Sequence, residues 1–140
     1  MRYAVLIIFA FIVVLFGCKP NSSCPGGGGK GGTSSLAITP IHSNYNVDSC
    51  MIYIKYGAID APTNNIYDDS QKVSVVILPG GQPQDTIPYA VFNNLKSGNY
   101  YIFGNGWHVR FNVWVKGGIP VTICNQKVDS VLLPTFQYQP

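Results

Sequence analysis

The run His108-Val109-Arg110-Phe111-Asn112-Val113-Trp114-Val115-Lys116 sets an imidazole, a guanidinium, an amide, an indole and an ammonium at every second position. On an extended chain alternate side chains share a face. The stripe would therefore present a stacking plane between directional hydrogen-bonding groups, the combination that sugar- or peptide-contacting surfaces use. Tyr101 and Phe103 would extend it if their strand pairs alongside. In the alternative, a second layer or the preceding linker covers Trp114 and makes it core.

Reactive chemistry has thinner support. A hydrolase needs a nucleophile beside a base that a third group holds. His42 and His108 are the two histidines, and no spacing ties either to Cys50, Cys124 or an aspartate. Glycoside hydrolysis needs two carboxylates across a cleft; the chain has no glutamate, and Asp68 and Asp69 are neighbours whose side chains diverge on an extended chain. Asp60, Asp68 and Asp69, with Asn64 and Asn65, could offer oxygen ligands to calcium from one loop, although the EF-hand spacing is absent. The alternative is a solvated polar loop. No CxxC or HxxxH pattern suggests a transition metal. Lys30 is followed by Gly31 rather than Ser or Thr, so the surrounding glycines are not a nucleotide-binding loop. The expectation is a protein without cofactor or catalytic centre, with a hydrolase as the remotest alternative.

The formal charge of +3 overstates how basic the main body is. Beyond Ser35, Lys55, Lys72, Lys96, Arg110, Lys116 and Lys127 balance Asp48, Asp60, Asp68, Asp69, Asp85 and Asp129. Nucleic-acid binding needs a dense basic patch, and none is present. Cys50 opens one predicted strand and Cys124 closes another, so a bridge between them is one outcome and two buried thiols the other.

The elements that must carry these residues are strands. Apolar residues alternate or run in short blocks, and turn residues return throughout. Strands are predicted over Leu36–Ile41, Cys50–Tyr56, Val73–Leu78, Ile87–Leu95, Tyr100–Phe103, Trp107–Lys116, Ile119–Cys124 and Val128–Leu133. Turns are predicted at Pro79-Gly80-Gly81, Lys96–Asn99, Gly104-Asn105-Gly106, Lys116-Gly117-Gly118 and, as a hairpin connection, Asn125-Gln126-Lys127. Seven or eight short antiparallel strands imply an all-β, two-sheet sandwich over 36–140.

The N-terminus differs in kind. Arg2 precedes the apolar run Ala4–Phe16, which is shorter than the roughly 20 residues of a spanning helix. A charged start and a short apolar stretch describe a helical signal peptide, here residues 1–17. Leu15-Phe16-Gly17-Cys18 resembles the lipobox of bacterial lipoproteins. The resemblance implies cleavage before Cys18, lipidation of its thiol, and a place in the cell envelope, in the outer membrane, with the membrane as a partner. Two or more acyl chains at about 0.8 kcal/mol per methylene hold firmly. Residues 18–35, rich in Gly and Ser, then read as a flexible tether.

Phe92-Asn93-Asn94-Leu95-Lys96-Ser97-Gly98-Asn99-Tyr100-Tyr101-Ile102 resembles the F-x-N-L-x-x-G-x-Y-x-[IV] stretch of prealbumin-like sandwich domains, including carboxypeptidase regulatory-like and related Ig-like modules. The resemblance implies that Leu95 and Tyr100 plug the core on either side of a tight hairpin. The layout of lipobox, tether and single sandwich is similar to small lipoproteins of the Bacteroidota. It implies a non-enzymatic binding or interaction module for a partner protein or glycan, in an envelope complex. The alternative is a structural spacer that adds a strand to a partner.

Overall fold

The structure, a computed structural model, describes residues 26–77, 86–124 and 128–140. The signal segment, Cys18 and the turns predicted at 79–81 and 125–127 lie outside the described residues. Among those described, the chain is all-β: β1 (Lys30–His42), β2 (Tyr45–Asn46), β3 (Ser49–Tyr56), β4 (Asp69–Lys72), β5 (Ser74–Ile77), β6 (Thr86–Leu95), β7 (Gly98–His108), β8 (Val113–Ile123), β9 (Val128–Pro134) and β10 (Phe136–Tyr138).

They form the expected two-sheet sandwich. One sheet is built on β1, which pairs β2 and β6 antiparallel and β9 parallel, with β5 beyond β6. The other runs β10-β8-β7-β3-β4, antiparallel throughout. The long strands β1, β3 and β7 each bury one side of their period-2 alternation. Leu36, Ile38 and Phe92 from the first sheet meet Ile52, Ile54, Tyr100 and Ile102 from the second, all at 0–1% exposure. Burial of each such side chain stabilises the fold by about 1.5–3 kcal/mol.

The Leu95–Tyr100 segment seals one end of the core, but it is not a hairpin. β6 and β7 belong to different sheets, so Lys96 and Ser97 carry the chain across the sandwich. Leu95 and Tyr100 are fully buried. The Tyr100 hydroxyl donates to the Lys96 carbonyl at 2.6 Å, has the Gly29 carbonyl 3.2 Å away, and accepts the Gly29 N–H at 2.9 Å. A buried phenol needs such partners, and here they come from backbone.

That contact revises the start of the body. β1 begins at Lys30 rather than Leu36, and the preceding glycines lie against β7. Gly27 bridges Gly98, Gly29 accepts the Lys96 N–H at 2.8 Å, and Lys30 pairs with Asp69 at 2.8 Å. A side chain on Gly32 would meet the Leu95 carbonyl at 2.0 Å, and one on Gly98 would meet the Gly28 nitrogen at 2.1 Å. Glycine here lets two backbones touch.

Three further differences follow, the first again at glycines. β7 continues through Gly104 and Gly106, and β8 through Gly117 and Gly118, where turns are predicted from composition. The true turn is 109–112, inside the predicted Trp107–Lys116 strand; it holds no glycine, and Asn112 supplies its left-handed backbone at φ 55°. The link from β8 to β9 is not a hairpin either, because β9 pairs β1 in the opposite sheet. Thr135 then returns the chain to the second sheet, with its N–H and hydroxyl both donating to the Ile41 carbonyl at 2.8 and 2.9 Å.

The bridge between Cys50 and Cys124 does not form. Cys50 is a buried free thiol, and Cys124 is disulfide-bonded elsewhere. The register explains it: Cys50 lies opposite Gly106, and Ile123 opposite Gly98. Those positions are about 26 Å apart along β7 at strand rise, whereas a disulfide needs Cα atoms within about 7 Å. Burial pushes the Cys50 thiol up to about 12, which leaves it protonated and inert.

Candidate functional site: an aromatic sheet face

The second sheet turns its outer face to solvent, and that face is aromatic. β7 contributes Tyr101, Phe103 and Trp107 there, each half-buried, and register sets Phe103 opposite Gly118 and Trp107 opposite Trp114. β10 adds Phe136 beside Lys116 and Tyr138 beside Trp114. The long loop after β3 brings Tyr67 flat onto Phe103, with ring centroids 5.7 Å apart and planes 14° apart. Tyr53 leans on both.

These rings are held in place. The Tyr138 hydroxyl donates to the Asn105 side-chain carbonyl at 2.8 Å, and the Lys116 ammonium stands 4.4 Å over its ring. Trp107 and Trp114 meet edge to face at 5.3 Å. Gly118 leaves room for Tyr101, whose hydroxyl would lie 2.2 Å from a Cβ at that position. Between the Tyr67–Phe103 stack and the Tyr138 wall lies a groove of about 430 Å³, with Tyr101, Gly118 and Lys116 in its lining. Asn65 and Gln137 bring amides to it.

Of the stripe predicted from sequence, Tyr101, Phe103, Trp114 and Lys116 come together here. Trp114 is 42% exposed and is not core. His108 and Arg110 do not join them, because the chain reverses between His108 and Val113. His108 is the last inward residue of β7, 2% exposed, with its Nδ1 2.9 Å from His42 Nδ1 and its ring edge-on to Phe111. Burial, then the neighbouring His42, hold its pKa below the usual histidine value. Arg110 sits 3.9 Å over the Tyr45 ring, beside this histidine pair. Asn112 is in the turn and borders a shallow depression with Trp107 and Trp114.

The loop carboxylates are already engaged. Asp68 accepts from the Lys55 ammonium at 2.9 Å and the Tyr56 N–H at 2.6 Å. Asp69 accepts from Lys30 and from the Ser70 N–H, each at 2.8 Å. The Lys30 hydrogen bond holds the Asp69 pKa below its usual value, and the Tyr56 N–H and Lys55 do so for Asp68 against the opposing effect of burial. Asp60 shares the loop without joining them. Among the described residues, no group of three or more His, Cys, Asp or Glu could hold a metal ion.

Tyr53, Tyr67, Trp107, Phe136 and Tyr138 are the members that sequence reasoning missed. Phe136-Gln137-Tyr138 carries a period-2 signal, but only over one short edge strand. Tyr67 carries none, since a loop has no period. Compared with known families, curated proteins and solved structures, the chain matches none.

Proposed function

We propose that the chain is a lipid-anchored, non-enzymatic envelope protein whose sandwich offers the aromatic sheet face to a partner protein or glycan. The anchor rests on Leu15-Phe16-Gly17-Cys18 directly after the apolar run. The binding reading is supported above all by the preorganised rings. A groove whose walls are fixed by a ring stack, a hydrogen bond and a cation–π contact loses little freedom when it is filled. Phe136 in its lining and Trp114 on the same face are 70% and 42% exposed, and aromatic side chains at the surface are the usual anchors of interfaces.

Affinity capture tests this reading. The anchored protein is drawn from envelope membranes as wild type and as Phe103→Ala. Capture of a component by the wild type alone supports the face as the binding surface; identical capture by both sinks it. Intact mass of the natural product tests the anchor, which fails if residues 1–17 are retained or the Cys18 thiol is unmodified.

A further inference from the structure

We infer that the aromatic face binds a saccharide chain, its pyranose rings lying flat on the strip that follows β7. The inference rests on the reading of this face as the binding surface and adds the chemistry of the ligand.

The face determines what it can grip. β7 is paired on both sides, with β3 and β8, and β8 is paired with β7 and β10, so the backbone in the groove floor has no free ladder to offer. An extended peptide gains its affinity from main-chain hydrogen bonds at a sheet edge; the groove floor offers none, and the one edge strand that borders it, β10, is only 3 residues long. What remains is side chains: ring faces in the floor and walls, with two amides, Asn65 and Gln137, and the Lys116 ammonium around them. That pattern excludes two other ligand classes. An acyl chain would leave amides and ammonium desolvated without partners. A polyanion would find one cation in the groove.

A pyranose matches both parts. Its C–H face is apolar and fits a ring plane, while its equatorial hydroxyls point outward to donors and acceptors at the rim. The extent favours a chain over a single sugar. Tyr101, Phe103, Asn105 and Trp107 are successive outward positions of β7, spanning about 20 Å at strand rise. Trp114, across from Trp107, continues the strip at one end, and Tyr67 and Tyr53 widen it at the other. The inner residues of the same strand supply none of this, since the Tyr100 hydroxyl is consumed by backbone.

The test titrates the full chain, purified in detergent, with neutral hexasaccharides of gluco-, xylo-, manno- and galacto- type, reading tryptophan fluorescence and heat. At least one is expected to bind with a dissociation constant below about 1 mM and to shift the indole emission. Phe103→Ala and Tyr138→Ala should each weaken it tenfold or more, Phe103→Trp should retain it, and Leu132→Ser on the opposite sheet should not change it. Far-UV circular dichroism confirms that each variant is folded. No binding of any probe by the wild type overturns the inference, as does binding that both alanine variants retain. Its failure is distinct from failure of the face itself: Phe103-dependent capture of a protein, with no saccharide binding, removes the ligand class and leaves the binding surface standing.

Discussion

β7 carries two chemistries on one strand. Its inward positions, Gly98, Tyr100, Ile102, Gly104, Gly106 and His108, are buried; its outward positions, Asn99, Tyr101, Phe103, Asn105 and Trp107, are half-exposed. The adjacent tyrosines show the difference best. Tyr100 has 0% exposure and a hydroxyl saturated by Lys96 and Gly29, so both its ring and its polar end serve the fold. Tyr101 lies across Gly118 in the groove lining, where another molecule can reach it. Because the two sets alternate with period 2, stability and binding should respond to different substitutions on the same strand.

The inner face should show the largest effects. Tyr100→Ala empties a fully buried aromatic site and is expected to lower stability by about 3–5 kcal/mol, read from the urea midpoint. Tyr100→Phe keeps the ring but strands the Gly29 N–H and the Lys96 carbonyl, for a loss of about 1–3 kcal/mol. An unchanged midpoint in the phenylalanine variant would mean that the glycine segment is not held by this hydroxyl. Gly106→Ala follows. Its Cβ would stand 2.3 Å from the Ser49 carbonyl oxygen and 2.7 Å from the Cys50 Cα, so β3 must shift, at a cost of about 1–3 kcal/mol.

Glycine also explains which parts of this fold were legible. The alternation of Cys50–Tyr56 and of Ile87–Leu95 located β3 and β6 closely, and the sandwich follows from such strands. The glycines at 26–32, 104, 106, 117 and 118 read as breaks because composition alone cannot separate a residue that bends the chain from one that makes room beside it. Room is a tertiary property: it depends on Ser97, Leu95, Leu133 or Tyr101 arriving from elsewhere. The reverse error fell at 109–112, where alternation of Val109, Phe111 and Val113 persists through a turn that Asn112 makes. That one error moved His108 and Arg110 off the candidate face, while Tyr101, Phe103, Trp114 and Lys116 kept their place on it.

The buried histidine at the end of β7 gives a smaller, pH-dependent effect. In the neutral pair one Nδ1 donates and the other accepts, at 2.9 Å. A further proton removes the acceptor and charges a ring packed against Phe111. Burial and His42 depress the His108 pKa, Arg110 adds to this, and Asp48 opposes it. The unfolded chain, titrating near 6.5, then binds more protons than the folded one below that pH. The stabilisation is therefore complete above about pH 6.5 and is lost as pH falls through the depressed folded value. The urea midpoint should decline from pH 7 to pH 5, and His108→Phe should flatten that slope. A wild-type midpoint that is level over this range contradicts the depression.

The smallest stability effects belong to the outer face, and they separate the two faces most cleanly. Phe103→Ala loses its stack on Tyr67, worth about 0.5–1.5 kcal/mol. Gly118→Ala should cost less still. Its Cβ meets the Tyr101 hydroxyl at 2.2 Å and the ring carbon bearing it at 2.7 Å, and both belong to the free end of a half-exposed side chain that can swing aside. The backbone of β8 keeps its register, so the midpoint should stay within about 0.5 kcal/mol of wild type. The groove does not keep its shape, because the displaced Tyr101 ring enters the space a ligand would take. Gly106→Ala and Gly118→Ala thus make the same chemical change on opposite faces, and their effects should cross: the first lowers the midpoint with its saccharide affinity preserved while folded, the second lowers affinity with its midpoint preserved. Equal midpoint losses in the two variants would show that the faces are not separable.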